Sequence, residues 1–355
     1  MNPSSAKTDQ EWMRLAIAEA SKGLGRCAPN PAVGAVIVSD GELIGKGHHK
    51  GAGLPHAERE ALADASNRFP DKIAGATAYV TLEPCSTHGR TPPCCDALIE
   101  AGIRRCVYAS TDPDPRHVGA ADRRLSGAGI EVLSGVLAKE ADELIRGFRS
   151  VKERGRPWII SKLGMSLDGR LSRPPGESQW LTNPTSRQQV QALRSEVDAI
   201  LVGANTVRRD NPKLTLRGEW ANGRRQPLRV VLLRDRKGIP PTSHLLTDPH
   251  ADRTLLLEQL TPAEALHSLA TKHEINTVLL EAGPTLQGLF FDLDLVDEVR
   301  FFYAPLLCGG PDVAIGGSGV DSVIEGERLT DITWQVHGDD LEMRALVSPK
   351  QRRLT

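Results

Sequence analysis

Thr81 to Leu98 reads TLEPCSTHGRTPPCCDAL. Ala76 to Leu82 has the apolar, β-branched make-up and length of a buried strand, and Pro93 to Ala101 opens a helix on proline. A strand therefore runs into Cys85, eight residues intervene, and Cys94 starts a helix. Outward on the N-terminal side, His56 to Ala65 reads as a helix. Val33 to Val38 and Leu43 to Gly47 read as strands around an Asp40-Gly41 turn. Trp12, Met13, Ala16, Ile17 and Ala20 form a helical stripe, with Asp9 as the expected cap and Gly23 as its end. Arg105 to Ala109 adds a further strand. This alternation predicts an α/β sandwich with a largely buried sheet.

FRSVKERGRP (148–157) is short, charged and glycine-containing, and reads as the linker between two domains, 1–153 and 154–355. Beyond it the pattern starts again. Strands are expected at 158–163, 199–203, 228–233, 254–257, 277–281 and 298–304, with helices at 185–195, 262–273 and 285–292.

The 355 residues are 39% hydrophobic and 25% charged, enough for two globular cores. Lys and Arg number 44 against 45 Asp and Glu, which argues against a protein that coats nucleic-acid phosphates. MNPSSAKTDQEWM lacks the basic-then-apolar layout of a secretory signal, and no apolar run approaches the ~18 residues of a membrane span. Six cysteines are too few for a disulfide scaffold, so they read as thiols, metal ligands or core filler in a cytoplasmic protein.

Alone, His56 reads as a helix-terminal surface histidine and Cys85 as a core thiol. In order and at element ends, His56, Cys85 and Cys94 read as a metal site. One imidazole and two thiolates fill three tetrahedral positions of Zn2+ and leave the fourth to water, whose pKa the metal lowers toward 7. Glu58, two residues past the first ligand, is placed to carry a proton from that water to a leaving amine. H-x-E followed by P-C and a later Cys is the signature of zinc nucleobase deaminases, here with a longer gap between the cysteines. Cys95 reads as core filler, and Cys27, Cys106 and Cys308 have no partner pattern.

TLEPCSTHGRTPPCCDAL, with PNPAVGAVIV (29–38) and HKGAGLPHAE (49–58) before it, resembles the deaminase domain of the bifunctional deaminase-reductases of riboflavin biosynthesis. The long cysteine gap is that family's form. The resemblance implies a cytidine-deaminase-like α/β/α sandwich with one Zn2+ per chain on His56, Cys85 and Cys94, and with Glu58 catalytic. It implies hydrolysis of the ring amino group of 2,5-diamino-6-(ribosylamino)-4(3H)-pyrimidinone 5′-phosphate, releasing ammonia. By position Asn30, His49 and Arg90 line that site. The family's DPNP is DPDP here, which puts the carboxylate of Asp114 where an amide is usual.

No G-x-G-x-x-G occurs. Gly23 to Ala28 fits a looser form but follows a helix, so it reads as a helix C-terminus with a loop. Strand 277–281 runs into Ala282 to Gly288, and strand 199–203 into Ala204-Asn205-Thr206. Each is a plain strand–helix turn or a phosphate cradle. In order, KLGMSLDGRLSRPPGESQWLTNPTSR (162–187), LRSEVDAILVGANTVRRDNPKLTLR (193–217), EAGPTLQG (281–288) and APLLCGG (304–310) resemble the reductase domain of the same family. That implies a dihydrofolate-reductase-like α/β fold which uses NADPH to turn the ribosyl group of the deaminated product into ribityl. Carried over by position, Gly164, Trp180, Thr206, Asp210, Gly283, Pro284, Thr285, Leu286, Gln287, Gly288 and Leu289 contact NADPH. Ser178, Arg194, Leu214, Arg217 and Glu281 contact substrate, and Arg194 and Arg217 suit bidentate phosphate binding. Lys162 or a nearby acid is left to assist proton transfer. The chain departs from the family at Arg234, where Leu232-Leu233-Arg234 replaces a strand end in Asp-Ser, and at Asn211 of Asp210-Asn211-Pro212.

The expected partners are small phosphorylated pyrimidines, with no nucleic acid or membrane, in a homo-oligomer (dimer or tetramer). A nucleic-acid deaminase would need a basic surface and a short cysteine gap, and a non-catalytic relic would have lost Glu58 or a ligand.

Overall fold

In β1 (Gly34–Ser39) successive side chains point to opposite faces, so Ala35 and Ile37 join one core while Val36 and Val38 join another. A strand buried on both faces needs helices on both sides. The computed structural model, which describes residues 7–88, 92–115, 117–171, 180–235 and 238–348, supplies them. The chain divides into two units, Met1–Gly155 and Arg156–Thr355. In the first, α1 (Asp9–Ser21) and α5 (Ala138–Arg154) cover the Val36 face through Trp12, Met13, Ala16 and Ala141. Helices α2 (Ala57–Arg68), α3 (Cys94–Glu100) and α4 (Ala120–Gly127) cover the Ala35 face through Ala61, Leu98 and Leu125. The sheet runs β2 (Glu42–His48), β1, β3 (Thr77–Leu82), β4 (Arg105–Ser110), β5 (Glu131–Ser134). β1 is antiparallel to β2 and β3, and the rest pair in parallel.

Two local expectations change. Thr8, not Asp9, caps α1: its hydroxyl accepts the Glu11 N–H at 3.3 Å, and Glu11 Oε2 accepts the Thr8 N–H at 2.7 Å. Asp9 is drawn instead to Arg105 (2.7 and 2.9 Å) and to the Tyr79 hydroxyl (2.7 Å), which fastens α1 to the sheet. The stretch 148–154, expected as linker, is the end of α5. Its charged residues face outward, Ser150 is buried, and the helix stops at left-handed Gly155.

In the second unit the sheet order is β12 (Leu329–His337), β13 (Asp340–Val347), β11 (Glu298–Ala304), β6 (Trp158–Ser166), β10 (Thr277–Leu280), β7 (Ala199–Gly203), β8 (Leu228–Leu233), β9 (Thr254–Glu258). β11 through β9 are parallel, and β13 and β12 return antiparallel. Ile159, Leu163, Leu201 and Val278 pack on one face against α9 (Pro262–Lys272) and α10 (Pro284–Asp292). Ile160, Ile200, Val202 and Val231 pack on the other against α6 (Pro184–Glu196), α7 (Ala204–Asp210) and α8 (His244–Thr247). Both units are α/β, as expected. The hairpin β12–β13 was not among the expected elements, although Ile332, Trp334 and Val336 alternate with polar residues as a strand's do. Among the described residues, no helix is long and apolar enough to cross a membrane.

Candidate active sites

His56 is the N-cap of α2 in extended backbone, Cys94 is the first residue of α3, and Cys85 lies just past β3. Gly45 and Gly47 let α2 settle onto β2, since a Cβ on them would stand 2.3 Å from Ala61 O and 2.5 Å from Ala61 N. The result is a triangle of donors. His56 Nδ1 lies 3.5 Å from Cys85 Sγ and 3.3 Å from Cys94 Sγ, and all three atoms lie within 4.8 Å of one another. Bonds of about 2.0–2.3 Å at tetrahedral angles put ligand atoms roughly 3.5–3.8 Å apart, so the triangle fits Zn2+. Among the described residues no other group of three His, Cys, Asp or Glu does so. Hydrogen bonds from the Cys94 thiol, His56 and the Cys94 N–H hold the Cys85 thiol well below its ordinary range. Glu58 is buried beside the triangle (3% exposed), and burial, helped by the charge of Cys85, pushes its carboxyl up to about 7.

Asn30 and His49 come together at this site. His49 Nδ1 stands 3.0 Å from the Pro55 carbonyl, which only accepts, so Nδ1 carries the proton and Nε2 accepts from Asn30 Nδ2 at 2.9 Å. The His49 ring meets His56 edge-on at 5.3 Å, and burial lowers its pKa, which favours this neutral form. Arg90 lies outside the described residues. The carboxylate of Asp114 is buried and accepts from Lys152 Nζ of α5 at 3.3 Å, so a local cation compensates its charge. Sequence reading missed two supports. Glu83, buried at the end of β3, accepts the N–H groups of Asp112 and Ala121 (both 3.2 Å) and anchors the following loop to the sheet. Arg59 donates to the carbonyls of Pro92 and Pro93 (3.4 and 3.2 Å), steadying the entry to Cys94. The only signal for either was adjacency to a motif residue.

In the second unit the C-terminal ends of β6, β10, β7 and β8 open onto a cleft of about 2030 Å3. At its floor, Arg194 Nε and Nη2 donate to Glu281 at 2.6 and 2.9 Å, and Lys162 Nζ lies 3.9 Å from the same carboxylate. Burial opposes the Glu281 charge, yet Arg194 and Lys162 hold its pKa below the ordinary range. Burial lowers that of Lys162. Arg217 also lines the cleft, and among the described residues its guanidinium has no hydrogen-bond partner. Gly164, Trp180, Thr206 and Asp210 line the same space, as do Gly283, Pro284, Thr285, Leu286 and Leu289 around the start of α10. Ser178 lies outside the described residues.

Four of the expected contact residues are held by other parts of the fold. The Arg194 fork is committed to Glu281, so it is not open to a phosphate as expected. Leu214 is 3% exposed and packs in the core, leaving only its backbone for a ligand. The Gln287 side chain is fully buried, accepting from Ser161 Oγ (2.8 Å) and donating to Leu280 O (3.2 Å), so it ties α10 to the sheet rather than facing a cofactor. Gly288 is pressed onto a neighbouring loop, where a Cβ would stand 2.2 Å from the Gly316 carbonyl carbon. Asn211 takes the left-handed position that ends α7 (φ 40°), a conformation asparagine tolerates better than most residues.

Comparison with known proteins follows this division. Residues 6–110 match the cytidine and deoxycytidylate deaminase zinc-binding region, and residues 157–343 match the RibD C-terminal domain. The riboflavin biosynthesis protein RibD of Escherichia coli is 41% identical over 85% of this chain and 89% of its own. That of Synechocystis is 38% identical over 94% and 95%. The structure of Acinetobacter baumannii RibD, form 1, superposes with a TM-score of 0.87 at 37% identity, covering 96% of this chain and 99% of that one. The Thermotoga maritima diaminohydroxyphosphoribosylaminopyrimidine deaminase/5-amino-6-(5-phosphoribosylamino)uracil reductase gives 0.85 at 33%, with 96% and 99% covered. The chain belongs to the RibD family, the zinc- and NADPH-using bifunctional deaminase-reductases of riboflavin biosynthesis.

Proposed function

We propose that the Met1–Gly155 unit deaminates 2,5-diamino-6-(ribosylamino)-4(3H)-pyrimidinone 5′-phosphate and that the Arg156–Thr355 unit then reduces the product to 5-amino-6-(ribitylamino)uracil 5′-phosphate. The observation that carries the reading is the His56–Cys85–Cys94 triangle with Glu58 buried beside it. Zn2+, when bound there, acidifies water. Glu58 takes a proton from the attacking water and delivers it to the amine nitrogen that leaves as ammonia. Glu58, buried two residues past His56 at the edge of the triangle, is positioned for both halves of that transfer. Asn30, oriented by neutral His49, contacts the pyrimidine, and Arg90 the phosphorylated sugar.

In the reductase, NADPH when bound supplies hydride to C1′ of the ribosyl group. Lys162 Nζ hands a proton to the ring oxygen that departs from C1′, and Glu281 holds the ammonium in reach. Arg217 holds the 5′-phosphate, a role its uncommitted guanidinium suits better than that of Arg194. The start of α10, with Gly283 as N-cap and proline at the first turn, lies along the cofactor phosphates.

A near-neutral net charge supports small anionic substrates over nucleic acid, and we place the enzyme in the cytoplasm. A homo-oligomer is supported by edge strand β12, where Ile332, Trp334 and Val336 stand on one face at 49%, 55% and 69% exposure. The test is the purified chain with the diaminopyrimidine. Ammonia should appear without NADPH, and NADPH oxidation should follow only once deaminated product accumulates. Absence of ammonia from zinc-loaded protein refutes the first assignment, and absence of oxidation on supplied product refutes the second.

A further inference from the structure

The cleft runs along the strand ends in the order β6, β10, β7, β8, β9. Neighbouring strands stand about 4.8 Å apart, so the end of β8 lies about 10 Å from that of β10. The proton and the hydride go to the same substrate group, so the reacting ring of NADPH would lie by Lys162, midway along β6, and Glu281, just past β10. The pyrophosphate would then pass Gly283, whose absent Cβ leaves room beside Thr206 Oγ1 (3.9 Å from where it would stand). On that course the adenosine half would continue over β7 toward β8. Arg234 directly follows β8, exposed and lining the cleft. Among the described residues its guanidinium has no hydrogen-bond or ion-pair partner. Nearby Arg208 is already spent on Gly238 O (2.8 Å) and Asn205 Oδ1.

NADPH and NADH differ by one dianionic phosphate on the adenosine ribose. We propose that Arg234 is the residue that selects NADPH over NADH, by a charge-assisted fork to that 2′-phosphate. The proposal rests on the reductase reading above and goes further by assigning the cofactor preference to one side chain. Arg234 is exposed, so removing it leaves no buried group unpaired and the fold intact.

Trp180 and Trp220 line the cleft, so tryptophan fluorescence is the binding readout of choice. NADPH and NADH are titrated into wild type, Arg234→Ser and Arg234→Lys at low and at raised salt, with melting curves as the check on folding. Loss of a charged hydrogen-bonded contact should raise the NADPH dissociation constant of Arg234→Ser roughly tenfold or more at low salt. It should leave NADH within twofold and flatten the salt dependence of NADPH binding. Arg234→Lys should recover part of the loss. Equal weakening of both nucleotides would place Arg234 on a group they share and overturn the proposal, as would an unchanged NADPH constant. A wild type that binds neither nucleotide would overturn the reductase reading itself.

Discussion

Replacing Glu281 by Gln changes one atom and removes the anion between two buried cations. In the wild type, Arg194 and Glu281 side chains are only 9% and 10% exposed and share two hydrogen bonds, with Lys162 at 3.9 Å. Without the carboxylate, Arg194 and Lys162 repel across a cleft floor that water reaches poorly. Removing one partner of a buried pair costs about 3–5 kcal/mol. The amide oxygen of Gln still accepts one bond, so the lower end, about 3 kcal/mol, is expected. For a unit of this size each kcal/mol lowers the melting midpoint by about 2–4 °C, giving a fall of roughly 6–12 °C. Four of the five tryptophans lie in this unit, so fluorescence-detected melting follows it. The sign with pH is fixed by linkage. The folded pKa of Glu281 is depressed, so its contribution is present above the unfolded value of about 4.3 and is lost as pH falls through the folded value. The gap between wild type and variant should therefore close in acid. Adding Arg194→Met should cost less than the two single changes summed, because the cation that lost its partner is then gone too. A midpoint within 2 °C of wild type at pH 7, or strict additivity in the double variant, refutes this account of the cluster.

Purified protein never exposed to chelator should hold about one Zn2+ per chain by elemental analysis, and Cys85→Ser should lose it together with ammonia release. The same variant should keep NADPH oxidation on supplied deaminated product; loss of both activities in folded protein would mean the units depend on one another. Glu58→Gln should keep its zinc and lose deamination, since an amide cannot shuttle the proton, and retained ammonia release would point to a different base. Arg217→Ala should raise the reductase KM for the phosphorylated substrate about tenfold or more, less so at high salt, with kcat little changed. A KM unmoved by either change would remove Arg217 from phosphate binding.

The metal triangle was legible in the chain because its ligands stand where elements begin or end, and such positions are marked locally. A proline precedes each cysteine, and His56 opens a helix. The alternation of strands and helices was legible for the same reason, since each element carries its own apolar period. Thr8 as the cap of α1 was not. Thr8 and Asp9 are both good caps, and the contest is settled by Arg105 and Tyr79, 96 and 70 residues away. The helical stretch 148–154 was missed because its charges face outward and resemble a linker when read without the face they leave buried.

Residue types and spacing by themselves determined the zinc chemistry of this protein, an imidazole, two thiolates and a carboxyl in one half, whereas the lysine, arginines and glutamate of the other half were singled out only by resemblance to the reductase family. What each arginine does was decided only by the fold. Arg194 and Arg217 look alike in sequence, yet one is closed on Glu281 while the other faces open cleft. Likewise Gln287 and Leu289 sit two residues apart in one motif. The helix turns about 200° between them, so one is fully buried and the other is 39% exposed at the cleft. A side chain's partners come from chain segments far away in sequence. Local pattern specifies which groups are present, and packing decides which remain free to meet a ligand.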